Sequence, residues 1–427
     1  MVKHTRVYSS FVPRIPSIIG ASLIGGAIVF LVLGLGTPTV AKPQSSAPAG
    51  AGPAPTIETL HSPAGANSSE PQLTVQGDRV ILSWLEVAGE RATLKFAERT
   101  PTGWSDPKTV YSSEDFFVNS FDVPSVRALA DGSLAANWLE KNGPDPDSSQ
   151  VRLSWSKDQG RTWTRPTSPH HDGTMTEHGF VSLFQAPGQG LGVVWIDGRA
   201  TNPETESGDM SLRASVYDAN GKQLGETVVN PRVCECCSTA AAPTPEGVIV
   251  AYRNRTADEV RDIYVSRFVG GHWAAPTDVH RDGWRLDACP INGPAISAQG
   301  ANVAVAWFVA KNDQGRAFIA FSHDAGHSFD APIRVDDGGS LGRLGVAVLE
   351  DGSAAVSWIE SARPRSQLRM RMMKPSGEHS APVTIASTSG DRYPRITRDR
   401  DELLISWTDS DGKTSQVQTA RAKVLAK

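Results

Sequence analysis

One pattern constrains this chain more than any other: a short apolar segment ending in an aromatic residue, repeated along its length. It occurs as Val80–Trp84, Leu134–Trp138, Leu191–Trp195, Val248–Tyr252, Val303–Trp307, Ala354–Trp358 and Leu403–Trp407. The aromatics fall 49 to 57 residues apart, about the length of a four-stranded propeller blade. Most segments follow a Gly or Asp-Gly turn, at Asp131-Gly132, Gly190, Gly247 and Asp351-Gly352, where a tight hairpin needs positive φ. A third strand follows, such as Val151–Trp155 or Ala317–Phe321. A turn then leads to an aromatic and a proline, as at Trp104 and Pro107 or Trp273 and Pro276. The strands are nearly continuous apolar runs, as expected of sheets packed on both faces. No stretch after residue 60 has a helical period. These features predict an all-β chain, a β-propeller.

Seven aromatic-tipped strands predict seven blades, with six the alternative. The last unit, Pro394 to Lys427, holds three strands and then stops. Ala54–Leu60 lines up with Ala381–Ile385, the outer strand of the sixth unit. The N-terminal strand is therefore expected to close the ring by joining the last blade, which removes an exposed sheet edge.

The segment before the repeat has another character. Met1–Arg14 carries Lys3, Arg6 and Arg14 and no acid, and Ile18–Gly36 is apolar or small throughout. Such a run, an N-terminal apolar helix, is about long enough to span a bilayer. Thr39-Val40-Ala41 resembles a cleavage site. The expected organisation is a signal peptide or signal anchor over 1–41, a flexible Ala/Pro/Ser-rich spacer over 42–55, and the propeller over 56–427. It puts the propeller outside the cytoplasm, periplasmic or anchored in the inner membrane through the N-terminal segment. The net charge is −4, and a mildly acidic body does not suit nucleic acid as a partner.

Two turns carry a sharper motif. Ser156-Lys157-Asp158-Gln159-Gly160-Arg161-Thr162-Trp163 and Ser322-His323-Asp324-Ala325-Gly326-His327-Ser328-Phe329 share one pattern at matching places in the repeat. In each, the Asp can accept turn N–H groups, the Gly supplies an unusual dihedral, and the aromatic packs under the hairpin. Here the chain resembles the Asp-box (bacterial neuraminidase repeat) propellers of the sialidase-like superfamily. The resemblance covers roughly residues 70–425. The segments Thr176–Phe180, Cys234–Cys237 and Ala288–Pro294 resemble a bacterial group of such propellers, for which a fold is implied and no particular activity.

In a propeller, the loops joining one blade to the next and the loops between second and third strands share one face. Those loops hold a candidate ligand-binding set: Glu177, His178, Asp197, Arg199, Arg253, His280, Arg281, Trp284 and Asn292. A rim of this kind suits a glycan or small anionic ligand. The sialidase resemblance implies an arginine triad, a Tyr nucleophile and an acid. By loop position these are Arg253, Arg343 and Arg395, then Tyr393, then Asp172, Asp197 or Asp282. Catalytic sialidases have six blades, so a seventh weighs against that alternative.

Of the four cysteines, Cys234, Cys236 and Cys237 lie in one joining loop and Cys289 in the next. Equivalent loops on neighbouring blades should be close in space. A disulfide from the triplet to Cys289 closes a loop of roughly 52–55 residues, for a stabilisation of about 4 kcal/mol. A thiolate set completed by His178, His171 or His280, holding copper or zinc, is a second possibility. A redox-active or vicinal disulfide is a third.

Overall fold

The computed structural model describes residues 54–423 apart from 187, 189, 203, 206 and 391. The expected N-terminal apolar helix and most of the spacer lie outside the described residues. No helix among these is long and apolar enough to cross a membrane.

The described chain is all-β, and its seven antiparallel sheets are the blades of a propeller. The inner strands are Ser68–Gln76, Ser125–Ala128, His178–Gln185, Ala240–Thr244, Ala295–Gln299, Ser340–Val348 and Arg395–Asp399. Each pairs with the aromatic-tipped strand that follows it. Ring closure is as expected. Ile57–Leu60 pairs antiparallel with Ser415–Lys423, from Ile57 opposite Ala422 to Leu60 opposite Thr419. Glu58 and Arg421 form an ion pair at 2.9 Å across this seam. The second blade is the thinnest: its outer position holds only a bridge between Leu153 and Thr167.

The aromatic tips are the buried centres of the blades. Trp84, Trp195, Tyr252, Trp307 and Trp358 are fully buried. Residues two apart share one face of a strand, and the sequence uses this. The indole N–H of Trp84 donates to Glu86, that of Trp138 to Glu140, that of Trp195 to Asp197 and that of Trp358 to Glu360. Directly across the sheet from these tryptophans stand Lys95, Arg152, Arg213 and Arg369. Each pairs with its blade's carboxylate, at 2.6, 3.1, 3.8 and 3.8 Å. In the fifth blade Val309 stands where the acid would be, and Trp307 donates instead to Asp282 at 2.7 Å from the joining loop.

Both motif turns fold as the local chemistry requires. Asp158 accepts the Arg161 and Thr162 N–H groups at 3.1 and 2.9 Å, and Asp324 accepts that of Ser328 at 3.0 Å. Gly160 and Gly326, with φ of 80° and 83°, donate to Ser156 and Ser322. Trp163 packs edge-on to Phe96 of the first blade, and Phe329 packs against the core of blades four to six.

Candidate functional site

The seven inner strands enclose a central cavity of ≈ 1760 Å³. Its wall runs from the turns after the inner strands, at Gly77, Gly247, Asp351 and Asp401, to Ser238, Pro294 and Tyr393 at the other end. Two guanidiniums in that wall, Arg127 and Arg395, have no ion-pair partner among the described residues. Arg127 Nη2 reaches only the Val75 carbonyl, at 3.4 Å. The Nε atoms of both are buried and unpartnered. Burial alone pulls Arg127 down to about 10. Burial does the same to Arg395, also to about 10, against the opposing pull of Tyr393 and Asp122. Both remain cationic at neutral pH. Arginines nearer the turns are neutralised: Arg398 pairs with Glu350 and Arg400 with Asp78. Of the residues singled out from sequence, Tyr393 and Arg395 line this cavity.

At the end where the inner strands begin, side chains and backbone groups from several blades meet in a packed ring. Three inner strands bulge there, at Glu70, Phe180 and Arg343, with φ of 57°, 54° and 56°. The Arg343 guanidinium lies 5.1 Å from the ring centres of both Phe121 and Tyr393. It donates to the Ile291 carbonyl, and its backbone N–H donates to Asn292 Oδ1 at 2.9 Å. The Tyr393 hydroxyl donates to the same carbonyl at 2.9 Å and accepts the Gly293 N–H at 3.2 Å; burial raises its pKa.

Two carboxyls complete this ring. Burial pushes Glu70 up to about 8, against Arg392, which lies 3.5 Å away. Burial pushes Asp122 up to about 7, held back by the Phe180 and Val181 N–H groups and by Arg395. The local composition around neither residue marks these two out.

His170, Asp172, His178, Asp197 and Arg199 gather between the second and third blades. His178 Nδ1 faces the Ser149 and Thr176 carbonyls at 3.2 and 3.0 Å. Its Nε2 faces Asp172 at 3.3 Å and Asp197 at 3.7 Å. His170 Nε2 accepts the Val151 N–H at 3.2 Å, which leaves its Nδ1 proton toward Asp172. Burial brings His170 down to about 4. Burial would raise Asp172 and Asp197, but Thr174 and Arg199 respectively lead the interactions that hold them below the usual carboxylate range. The ligand atoms of His170, Asp172 and His178 lie within 4.8 Å of one another. The imidazoles stack 3.9 Å apart and within 3° of parallel. No point lies in both ring planes, so the two lone pairs cannot converge on one cation. The Arg199 guanidinium, 2.7 Å from Asp197 and 3.4 Å from Asp172, supplies the positive charge instead.

The cysteines do come together. Cys236 and Cys289 form a disulfide, while Cys234 and Cys237 are free and buried. Cys234 Sγ lies 2.9 Å from Cys237 Sγ and 3.9 Å from Cys236 Sγ. The Arg261 guanidinium donates to Cys234 Sγ at 3.2 Å. His178 takes its partners from the His/Asp cluster rather than from these sulfurs.

The remaining rim residues are mostly occupied internally. Arg253 is 1% exposed and donates to the carbonyls of Arg261, Asn292 and Phe308, with its guanidinium 4.9 Å over Trp284. Asn292 bridges to Pro290 and Leu341. The Glu177 carbonyl accepts the Gly198 N–H. Burial raises the Asp282 pKa. His280 lies 3.8 Å from Asp282, and exposed Arg281 pairs with Asp278.

No family model matches the sequence, and no curated protein matches it. Solved structures do resemble the fold. A polysaccharide lyase, Uly1, aligns with a TM-score of 0.51 at 11% identity, over 84% of this chain and 90% of its own. The endosialidase of phage phi92 aligns at 0.49 and 9% identity, over 87% of this chain and 70% of its own. The GH93 α-L-arabinofuranosidase of Fusarium graminearum, solved with arabinobiose, aligns at 0.46 and 12%, over 84% and 93%. The similarity is one of fold.

Proposed function

We propose that the protein binds an acidic carbohydrate in its central channel, outside the cytoplasm. The observation that carries this reading is the pair of cavity-lining guanidiniums, Arg127 and Arg395, that no carboxylate meets in an ion pair among the described residues. Arg127 and Arg395 are half-buried, and an anionic ligand would supply the charge they lack in the wall; Arg presents its donors in a fork that matches a carboxylate. Around them the wall carries Gln72, Thr74, Ser125, Ser182 and Ser297, short amide and hydroxyl groups suited to sugar hydroxyls. Folds of this kind serve carbohydrate-acting proteins among the similar structures, which supports the ligand class without naming the sugar. The apolar N-terminus with its basic flank and the Cys236–Cys289 disulfide support an oxidising, extracytoplasmic setting.

Calorimetric titration with sialyl- and uronate-containing oligosaccharides, alongside neutral ones of equal length, tests the proposal. Acidic sugars should bind and neutral ones should not. The double variant Arg127→Gln/Arg395→Gln should weaken binding at least about tenfold, since each charge-assisted hydrogen bond contributes roughly 1.5–3 kcal/mol. Equal affinity for both sugar classes, or for the variant and its parent, refutes it. A hydrolytic alternative, the sialidase-type glycosidase, has one observation in its favour: Arg343 and Arg395 lie 5.1 and 5.4 Å from the Tyr393 ring. Cleavage of a fluorogenic sialoside that Tyr393→Phe abolishes would select it. The Tyr393 hydroxyl is engaged by Ile291 and Gly293 backbone, which favours binding over cleavage.

A further inference from the structure

Channel binding leaves the cysteine cluster without a role. Its geometry exceeds what a structural disulfide needs. Two thiols, Cys234 and Cys237, are buried in contact with each other and beside a disulfide, with Cys234 Sγ 3.9 Å from Cys236 Sγ. Cys234, Cys236 and Cys237 are buried, whereas Cys289 is half-buried on a loop whose residues Arg285, Asp287 and Ala288 are exposed.

We propose that the four cysteines form a thiol–disulfide relay, in which Cys289 is the solvent port and Cys234 and Cys237 are a buried dithiol that exchanges with it through Cys236. The steps balance internally. Cys234 and Cys237 share one proton; it passes to Cys237, and the Cys234 thiolate attacks Cys236 Sγ. A Cys234–Cys236 bond forms, the Cys236–Cys289 bond breaks, and the electron pair leaves on Cys289, which takes a proton from solvent. Cys237 then attacks Cys234 Sγ and expels Cys236, and the Cys237 proton passes to the leaving Cys236 sulfur. One disulfide and two reduced cysteines are present before and after, one proton enters from solvent, and no oxidant is consumed. Two electrons have moved outward, to where an external disulfide can collect them. In reverse, an external thiol meets the relay at Cys289.

The surroundings favour these steps. Exchange needs a thiolate as attacker. Arg261 Nη1 stands 3.2 Å from Cys234 Sγ, where it stabilises negative charge on the attacking sulfur. Glu235, 2.8 Å from the same nitrogen, holds the guanidinium in place. Burial would raise Cys237, but the Cys234 S–H, the Arg253 charge, the Asn292 N–H and the Arg261 charge bring it down to about 7. Cys234 is raised, by burial first and then by Cys237. A single proton shared between the two sulfurs therefore keeps one of them nucleophilic near neutral pH.

Native-state alkylation with iodoacetamide, followed by peptide mapping of disulfides, tests the relay. The full chain is first brought to one disulfide and two thiols, by titration with dithiothreitol if it is isolated with two. The parent should take up label at Cys289 and Cys236 and end with a Cys234–Cys237 disulfide. Cys234→Ser removes the first nucleophile and should slow labelling of Cys289 by more than about tenfold. Cys237→Ser removes the second attack and the sulfur that takes the Cys234 proton, so its first exchange should be slower than the parent's. It should still label at Cys289, now with a Cys234–Cys236 disulfide. An unlabelled Cys289 in the parent overturns the relay. So does labelling at the same rate in Cys234→Ser, which local unfolding alone would produce.

Discussion

Asp122 gives the sharpest test of the packed ring at the channel end. Its carboxyl is buried and raised to about 7, while the unfolded chain ionises near the ordinary carboxylate value of 3.8. A carboxyl raised by folding contributes stability that is complete below its unfolded pKa and is lost as pH climbs through the folded one. Between pH 5 and 7 the folded protein holds a proton here that the unfolded chain has released. Each such proton tilts stability by about 1.4 kcal/mol per pH unit. Asp122→Asn removes that tilt and keeps an oxygen that can accept the Phe180 N–H. The stability of the variant minus that of the parent should therefore rise by about 2 kcal/mol from pH 5 to pH 7. Taking the difference cancels His170, whose lowering to about 4 acts in the opposite direction over the pH range up to its unfolded value. It also cancels Glu70, apart from the charge interaction between the two carboxyls. Urea unfolding at pH 5, 6 and 7 and constant ionic strength measures it. Parallel curves for variant and parent would show Asp122 ionised in the fold and refute the reasoning.

Other outcomes follow from the same packing. Arg253→Met strips donors from the Arg261, Asn292 and Phe308 carbonyls; urea unfolding should show a loss of about 3 kcal/mol or more, at roughly 1–3 kcal/mol for each buried group left unpaired. A loss under about 1 kcal/mol would mean that water or a rearranged loop takes over those carbonyls. Removing residues 54–60 bares the edge of Ser415–Lys423. The shortened protein should melt at lower temperature and form dimers or larger species on size exclusion; an unchanged monomer with an unchanged melting temperature counts against ring closure as a source of stability.

Blade number and ring closure were legible because each depends on a feature that repeats. Trp84 and its six counterparts mark one strand per blade, and a unit ending after three strands implies a fourth from elsewhere. The meeting of Cys236 with Cys289 was legible for the same reason, since equivalent loops on adjacent blades are neighbours. Other assignments needed contacts that a linear reading does not hold. Arg253 carries the charge expected of a ligand contact, yet two of its carbonyl partners, on Asn292 and Phe308, belong to the next blade. Arg127 sits in Ser125–Ala128, a strand of ordinary composition; its significance comes only from the cavity it faces. Asp197 could have been sorted from sequence. The recurrence of an acid two residues after the tryptophan, as in Trp84-Leu85-Glu86 and Trp138-Leu139-Glu140, marks it as one of a repeated set that orients an indole.

The seam between the two ends of the fold also sets an order in time. Glu58 and Arg421 are 363 residues apart in sequence. On a ribosome, the strand that leaves first must wait for the one that leaves last, while the intervening blades stack beside it. Until then Ile57–Leu60 is an unpaired β-segment, open to any other strand edge nearby. A chaperone that shields this stretch during synthesis would protect the whole ring from mispairing.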